Sequence, residues 1–322
     1  MKAQECARAL GEEIAKVFIG KKEQIRLITT AVFAGGHVLL DDLPGSGKTT
    51  LIKAMARALG CEARRVQFTP DLLPSDIIGM SVYDRKSSEF RRIKGPVFTN
   101  ILLANEINRA LPRTQSALLE AMEERQVTID NESFPLPEPF FVMATQNPVE
   151  RESTFQLPAA QLDRFFVRLS LGFPDRNEER QMLTEFGGEP DYSAINVVSG
   201  PEQLMELRHE IQEVHVSDTV SAYIVELVHR TREHKLLRSG ASPRASRCLY
   251  QGGKAHAAIC GRDYVTPEDI SALFLPVLGH RVTLTNEAHT TGKAAPDILE
   301  SILCDTPVPP QRGEMFNEAA RK

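Results

Sequence analysis

Apolar residues recur at helical spacing over residues 4–17, 21–34 and 49–59, and between the last two lies Val38-Leu39-Leu40, an apolar run of the length of a buried strand. Arg64-Arg65-Val66-Gln67-Phe68 is short and β-leaning, and Pro70, Pro74 and Gly79 bracket a short helix. From Ser81 to Ile93 polar and apolar residues alternate about a polar tip, Arg85-Lys86-Ser87-Ser88, which predicts a hairpin. An apolar strand follows up to Ala104, and the helix from Thr114 to Arg125 places Ala117, Leu118, Ala121 and Met122 on one face. A second hairpin is expected over 126–141, turning at Asp130-Asn131-Glu132-Ser133, and further buried strands at 140–145 and 167–171. Five strand candidates alternating with helices predict an α/β domain with a parallel sheet covered on both faces. After Gly172 the strand signal mostly disappears, so the expected division is an α/β domain over 1–173 and a smaller all-α domain over 174–322, with a flexible stretch at Gly187–Asp191 and a loose tail after about Thr306.

Composition narrows the partners. With 42% hydrophobic and 25% charged residues in 322, the chain has ordinary globular usage. No apolar run approaches the ~20 residues of a membrane span. A net charge of -5 disfavours nucleic acid as the main partner. The five cysteines are scattered with no C-x-x-C pair, which reads as free thiols, and the start of the chain has no apolar signal core, so a reducing cytoplasm is expected. His229 and His234 are five apart, off one helical face, and read as surface residues; no histidine pair has metal-binding spacing.

The stretch with the most chemistry is Leu39 to Thr50. Strand, Pro44-Gly45-Ser46-Gly47-Lys48-Thr49-Thr50 and helix follow in order, an arrangement that aims backbone N–H groups and a helix N-terminus at one point suited to a polyphosphate. Lys48 can reach the β- and γ-phosphates and the Thr49 hydroxyl can ligate Mg²⁺; a plain glycine turn before a helix is the alternative. The usual pattern begins with glycine where this chain has Asp42.

Further along, Asn105 and Glu106 end an apolar strand, where Glu106 can take a proton from attacking water and Asn105 stands where Asp is expected in the metal shell. Asn147 ends the strand of Phe140–Thr145 and either orients that water or terminates the strand in an Asn-Pro turn. Phe18-Ile19-Gly20 either holds a base or is a turn. Arg91, Arg92 and Lys94 lie on the first hairpin, as a partner surface or a solvated face. Ser242-Pro243 is a helix start, and Arg244 in its first turn opposes the helix dipole, so it either serves an anion elsewhere or is solvated.

With these pieces placed, the chain over roughly residues 10–310 resembles the MoxR family of AAA+ ATPases. Its signatures are similar to Gln67-Phe68-Thr69-Pro70-Asp71-Leu72-Leu73-Pro74-Ser75-Asp76, Glu106-Ile107-Asn108-Arg109-Ala110, Thr114 to Met122, Ala144 to Pro148 and Gly240 to Ala245, in that order. The resemblance implies an αβα nucleotide domain with hairpins inserted in helix 2 and before the sensor-1 strand, then a helical lid. By it Gly45, Gly47, Lys48 and Thr49 look like Walker A, Asn105 and Glu106 like Walker B, Asn147 like sensor 1, Arg164 like an arginine finger, Arg244 like sensor 2, and Ile19 and Gly20 like part of the adenine pocket. It further implies ATP/ADP and Mg²⁺ as ligands and a ring, expected to be a homo-hexamer, that remodels or activates a protein client. Such members often act with a von Willebrand factor A domain partner and sometimes in metal or cofactor insertion. Asn105 in place of Asp and Ala159 where many members have Glu are departures. Two rival functions are a nucleotide-gated scaffold with little hydrolysis, which Asn105 would permit, and a nucleic-acid motor, against which the net charge argues.

Overall fold

Runs such as Val38–Leu40 and Ile101–Ala104 lack polar alternation because both faces of their strands are buried, the condition of a parallel sheet between helical layers. The computed structural model describes residues 2–43, 45–86, 88–147, 154–188 and 190–309. By packing, the chain divides into two units, one of Glu5–Arg208 and one from His209 onward to which Lys2–Gln4 also belong. In chain order the elements of the first are α1 (Ala3–Ala15), α2 (Lys22–Phe33), β1 (Val38–Asp41), α3 (Lys48–Ala58), β2 (Ala63–Gln67), α4 (Pro74–Ile78), β3 (Gly79–Asp84), β4 (Glu89–Lys94), β5 (Ile101–Asn105), α5 (Pro112–Glu124), β6 (Gln126–Ile129), β7 (Glu132–Pro135), β8 (Phe141–Gln146), α6 (Ala159–Leu162), β9 (Val167–Leu169) and α7 (Arg176–Glu185), with α8 (Pro201–Gln212) crossing the division.

β1, β2, β5, β8 and β9 form one sheet in the order β2-β5-β8-β1-β9, every pairing parallel. Leu39, Leu102, Ala104, Val142 and Ala144 point from one face into a core closed by Phe68, Ile77, Leu118, Leu119, Phe140 and Phe165. Each such large side chain contributes ~1.5–3 kcal/mol on burial, and truncating one of the phenylalanines to alanine would cost ~3–5 kcal/mol. The sheet is pinned beside β1 by His37, 4% exposed, whose Nδ1 accepts from the Val142 amide at 2.9 Å while Nε2 faces the Met122 carbonyl at 3.1 Å. That pair of bonds requires the neutral imidazole with its proton on Nε2. Burial, then the charge of Arg125, pushes the ring's pKa down to about 3, with the Met122 bond opposing.

Both expected hairpins are present. β3 and β4 pair antiparallel from Gly79↔Lys94 to Asp84↔Glu89, and β6 and β7 from Gln126↔Pro135 to Ile129↔Glu132. The second turns on Asp130 and Asn131, both at positive φ (50° and 64°), the left-handed pair that a two-residue hairpin turn needs. Arg92 of the first hairpin pairs with Glu132 of the second at 2.6 Å and lies 5.0 Å from the Phe134 ring centre.

The strand pattern ends near Leu171, but packing continues with the sheet to Arg208. The amide of Val198 donates to the Ala58 carbonyl at 2.7 Å, Leu204 and Leu207 are buried, and the partly buried guanidinium of Arg208 caps α2 through the Val32 carbonyl at 2.7 and 3.1 Å. The change of secondary structure at 173/174 and the change of packing unit at 208/209 are therefore different places.

The second unit is helical: α9 (Asp218–Glu233), β10 (Leu237–Ser239), α10 (Pro243–Ile259), α11 (Pro267–Leu278), β11 (Thr283–Leu284), α12 (Asn286–Thr290) and α13 (Ala295–Asp305). Its short strands β10 and β11 pair antiparallel, a detail too brief to carry an alternating pattern. Asp269, 1% exposed, caps α11 by accepting the Thr266 amide at 2.8 Å, and also bonds His256 at 2.6 Å and both terminal nitrogens of Arg262 at 2.6 and 2.7 Å. Burial pushes that carboxyl up, but the hydrogen bonds from His256 and Arg262 outweigh it and hold it well below the usual range. With Cys260 these side chains could gather about a metal, yet the Arg262 fork occupies the carboxylate as an ion pair would. The five cysteines are all free thiols, and among the described residues no helix is long and apolar enough to cross a membrane.

Candidate active site

Parallel strands bring their C-terminal ends to one edge of the sheet, and there the loops after β1, β5 and β8 meet. The loop from β1 to α3 is shaped by two glycines at positive φ, Gly45 at 87° and Gly47 at 80°. At Gly47 a Cβ would also stand 2.8 Å from the Phe18 ring, so this position needs glycine for space as well as for conformation. Pro44 lies outside the described residues. Around the loop is a cavity of about 380 Å³ lined by Gly45 to Thr50, Asp42, Asn105, Glu106, Thr145, Gln146 and Asn147. Most of the sequence-predicted site residues thus share one wall-to-wall space.

Lys48 starts α3, and its ammonium donates to the carbonyls of Asp42 (2.9 Å) and Leu43 (2.8 Å), with Ser46 Oγ at 3.4 Å. Burial pulls its pKa down, opposed by the carboxylates of Asp42, Asp41 and Glu106. A half-buried cation whose hydrogen bonds among the described residues go to neutral carbonyls and a hydroxyl is ready to exchange them for phosphate oxygens. Asp42, the departure from the usual loop, has a use of its own. Its buried carboxylate accepts from Ser170 Oγ at 2.7 Å and from the amides of Leu171 at 2.8 Å and Gly172 at 2.9 Å, tying the entry of the loop to the exit of β9.

Glu106 stands just past β5 with φ 56° and ψ 51°, a left-handed conformation that is uncommon for a glutamate and is held from several sides. Its amide donates to Thr145 Oγ1 at 2.9 Å, and the Thr145 hydroxyl donates to Asn105 Oδ1 at 2.8 Å. Glu106 Oε2 accepts from Gln67 Nε2 and from Arg109, each at 2.9 Å. The turn that follows is stapled by the buried amide of Gln115 on α5, which donates to the carbonyls of Ile107, Ala110 and Phe155 at 3.0–3.1 Å. Asn147 is buried, lines the cavity, and accepts from Asn108 through its backbone carbonyl at 3.3 Å.

A second cavity of about 540 Å³ shares Gly45, Ser46, Gly47 and Thr50 with the first and is walled by apolar side chains including Val17, Phe18, Ile19, Met182, Leu183 and Phe186. Ile19 faces it. Gly20, at φ 76°, stands beside it, and a Cβ there would collide with the Glu178 carboxylate. A polar cavity with convergent N–H groups joined through one loop to an apolar slot suits a polyphosphate carrying a flat, largely apolar base.

Arg164 and Arg244 belong to other elements. Arg164, in the turn after α6, pairs with Glu123 of α5 at 2.9 Å and lines neither cavity. Arg244 belongs to the second unit, in the first turn of α10 behind the Ser242 cap, whose hydroxyl accepts the Arg244 amide at 3.2 Å. The sequence singled out none of Gln67, Thr145 and Arg109 for the site, and it offered Phe18 only with Ile19 and Gly20, as a patch that holds a base or as a turn. Gln67 and Thr145 lay in view as the polar ends of two predicted strands, whereas Phe18 needed the fold to bring it over Gly47.

Residues 37–167 match the family described as ATPase family associated with various cellular activities (AAA), and residues 229–302 match the AAA lid domain. The chain is 46% identical to YeaC of Bacillus subtilis, a protein of uncharacterised function, over 94% of each chain. It is 38% identical to the chaperone MoxR1 of Mycobacterium tuberculosis, covering 93% of this chain and 81% of that one, and 33% identical to the protein MoxR of Methylorubrum extorquens, covering 95% and 96%. The solved structure of a candidate ATPase from Cytophaga hutchinsonii superimposes with a TM-score of 0.89 at 38% identity over 96% of each chain. Sequence, sheet order and relatives agree that this chain is an ATPase of the MoxR family of AAA+ proteins.

Proposed function

We propose that this ATPase binds ATP in the joined cavities, with Lys48 and the backbone of Gly45 to Thr50 on the phosphates and the base against Ile19 and Gly20, and that hydrolysis drives remodelling or activation of a protein client. The observation that carries the reading is the convergence of Lys48, Thr49, Asn105, Glu106 and Asn147 on one polar cavity that opens onto an apolar one through the same loop. Glu106 takes the proton of the attacking water and Asn147 orients that water. Thr49 and Asn105 would hold Mg²⁺; a hydroxyl and an amide oxygen are the hard donors that ion prefers, and when bound it neutralises phosphate charge.

Arg164 acts on the nucleotide of a neighbouring copy in a homo-hexameric ring, a reading supported by its absence from the cavity of its own chain. Arg244 serves the phosphates as sensor 2. The client meets the first hairpin, where Met80, Val82, Tyr83, Phe90 and Ile93 are exposed. A partner bearing a von Willebrand factor A domain, metal or cofactor insertion into the client, and action in the cytoplasm complete the proposal by likeness to the family. The test is a pair of variants. Lys48→Ala should abolish ATP binding, and Glu106→Gln should keep binding while cutting hydrolysis by a factor on the order of 10². Glu106→Gln protein held under ATP should then retain the client in a pull-down. Unchanged ATP affinity in Lys48→Ala would refute the site.

A further inference from the structure

Helix α7 has no buried residue, so the packing of its own side chains does not fix where it lies. Its place matters, because Met182, Leu183 and Phe186 on and just beyond it wall the apolar cavity that Val17, Phe18 and Ile19 also line. Met182 and Leu183 are 42% and 75% exposed, too little covered to hold a helix by burial. What ties α7 down lies at its start. The Lys21 ammonium donates to the Phe173 carbonyl at 2.8 Å and stands 3.5 Å from Glu178 Oε2. That Glu178 oxygen accepts the Asp175 amide at 2.9 Å, and Asp175 Oδ1 accepts the amides of Asn177 and Glu178, each at 2.8 Å. The Glu178 carboxylate also lies against the backbone of Gly20, where a Cβ would stand 2.0 Å from Oε1. The side chains of Lys21 and Glu178 are 18% and 22% exposed, which shields the pair from the screening that weakens surface ion pairs.

We propose that Lys21 and Glu178 are positioning residues for the base of the nucleotide: their ion pair, with the Phe173 bond, latches the first turn of α7 to the Ile19-Gly20 backbone. The latch keeps Met182, Leu183 and Phe186 in place as the wall that faces the base. Apparent affinity scales with the fraction of molecules in the competent arrangement. Cutting the latch lowers that fraction for the base and leaves the phosphates alone, since neither residue lines the polar cavity. The inference rests on the reading of the apolar cavity as the base site.

The experiment measures two affinities of the full chain by calorimetric titration, for ATP and for inorganic tripolyphosphate, each with Mg²⁺. ATP reaches both cavities and tripolyphosphate only the polar one. Lys21→Met should weaken ATP about fivefold or more while tripolyphosphate stays within about twofold of the parent. Glu178→Gln, which keeps an acceptor for the Asp175 amide and loses only the charge, should show the same split to a smaller extent. The double variant should be no weaker than Lys21→Met alone, because the pair is already broken there. Equal losses for both ligands would make Lys21 a general cation for the phosphates and overturn the latch. So would unchanged ATP affinity in a Lys21→Met protein that melts like the parent. Should Lys21→Met fail to fold, Glu178→Gln decides, and an unchanged ATP affinity there overturns it. The parent separates the two readings: if it binds ATP no more tightly than tripolyphosphate, the base site fails, whereas a parent preference for ATP that both variants keep in full rejects the latch alone.

Discussion

Asp42 offers the sharpest test of how this phosphate loop is held. Glycine at this position would restore the usual pattern, yet Asp42 does not adopt a left-handed backbone, so glycine has no conformational advantage there. The substitution Asp42→Gly removes the carboxylate that accepts the amides of Leu171 and Gly172 and the Ser170 hydroxyl. The hydroxyl can rotate to another acceptor, but the Leu171 amide is buried. Each stranded amide costs ~1–3 kcal/mol, and with the added chain entropy of glycine the loss should total about 3–5 kcal/mol. Asp42→Ala should lose nearly as much, and Asp42→Asn about half, since one amide oxygen still accepts. Urea unfolding followed by circular dichroism reads the stability, and titration with a fluorescent ATP analogue should show weaker binding as the loop entry loosens. An Asp42→Gly protein within ~0.5 kcal/mol of the parent, the range of an indifferent surface change, would refute the anchoring role.

Acid should act through His37, whose pKa is depressed from 6.5 to about 3. Its contribution is complete above about pH 6.5 and is lost as pH falls toward 3, by ~2 kcal/mol at pH 5 and about 5 kcal/mol at the limit, at ~1.4 kcal/mol per pH unit. His37→Gln, which keeps an acceptor and a donor but cannot charge, should flatten the pH dependence of the melting temperature; parallel curves would place the acid sensitivity elsewhere. Mixing Arg164→Ala with Glu106→Gln subunits, each nearly inactive alone, should restore part of the ATPase rate if the arginine works across an interface; verified co-assembly without rescue would confine Arg164 to its own chain. Gly47→Ala should lower ATP affinity at least tenfold, because its Cβ meets the Phe18 ring at 2.8 Å in a backbone region hostile to alanine, and normal affinity would contradict the loop geometry.

The sheet was legible because strands buried on both faces leave unbroken apolar runs, and the hairpins because Asp130-Asn131 and Arg85-Lys86 interrupt alternation with turn chemistry. The phosphate loop was legible from a strand, two glycines, Lys48, Thr49 and a helix in immediate succession. What stayed hidden depends on residues distant in sequence. Asp42 looked like a defect until Leu171 and Gly172 arrived at its carboxylate, and Gln67 looked like the end of a strand until Glu106 appeared beside it. The late packing boundary was equally invisible, since Arg208 declares its allegiance through a single helix-end carbonyl at Val32 rather than through any periodicity.

The bond between Arg92 and Glu132 ties the two hairpins to each other. Load on the tip of either ribbon is shared in part with the other, and because β8 follows the second ribbon it bears on the strand that stops at Gln146, one residue before Asn147. Because both partners are about half exposed, with side chains at 47% and 58%, this linkage is soft to electrolyte: it stiffens in dilute buffer and slackens as ionic strength shortens the reach of charge. The stiffness of the joined ribbons is thereby set by the solution around them as well as by the fold.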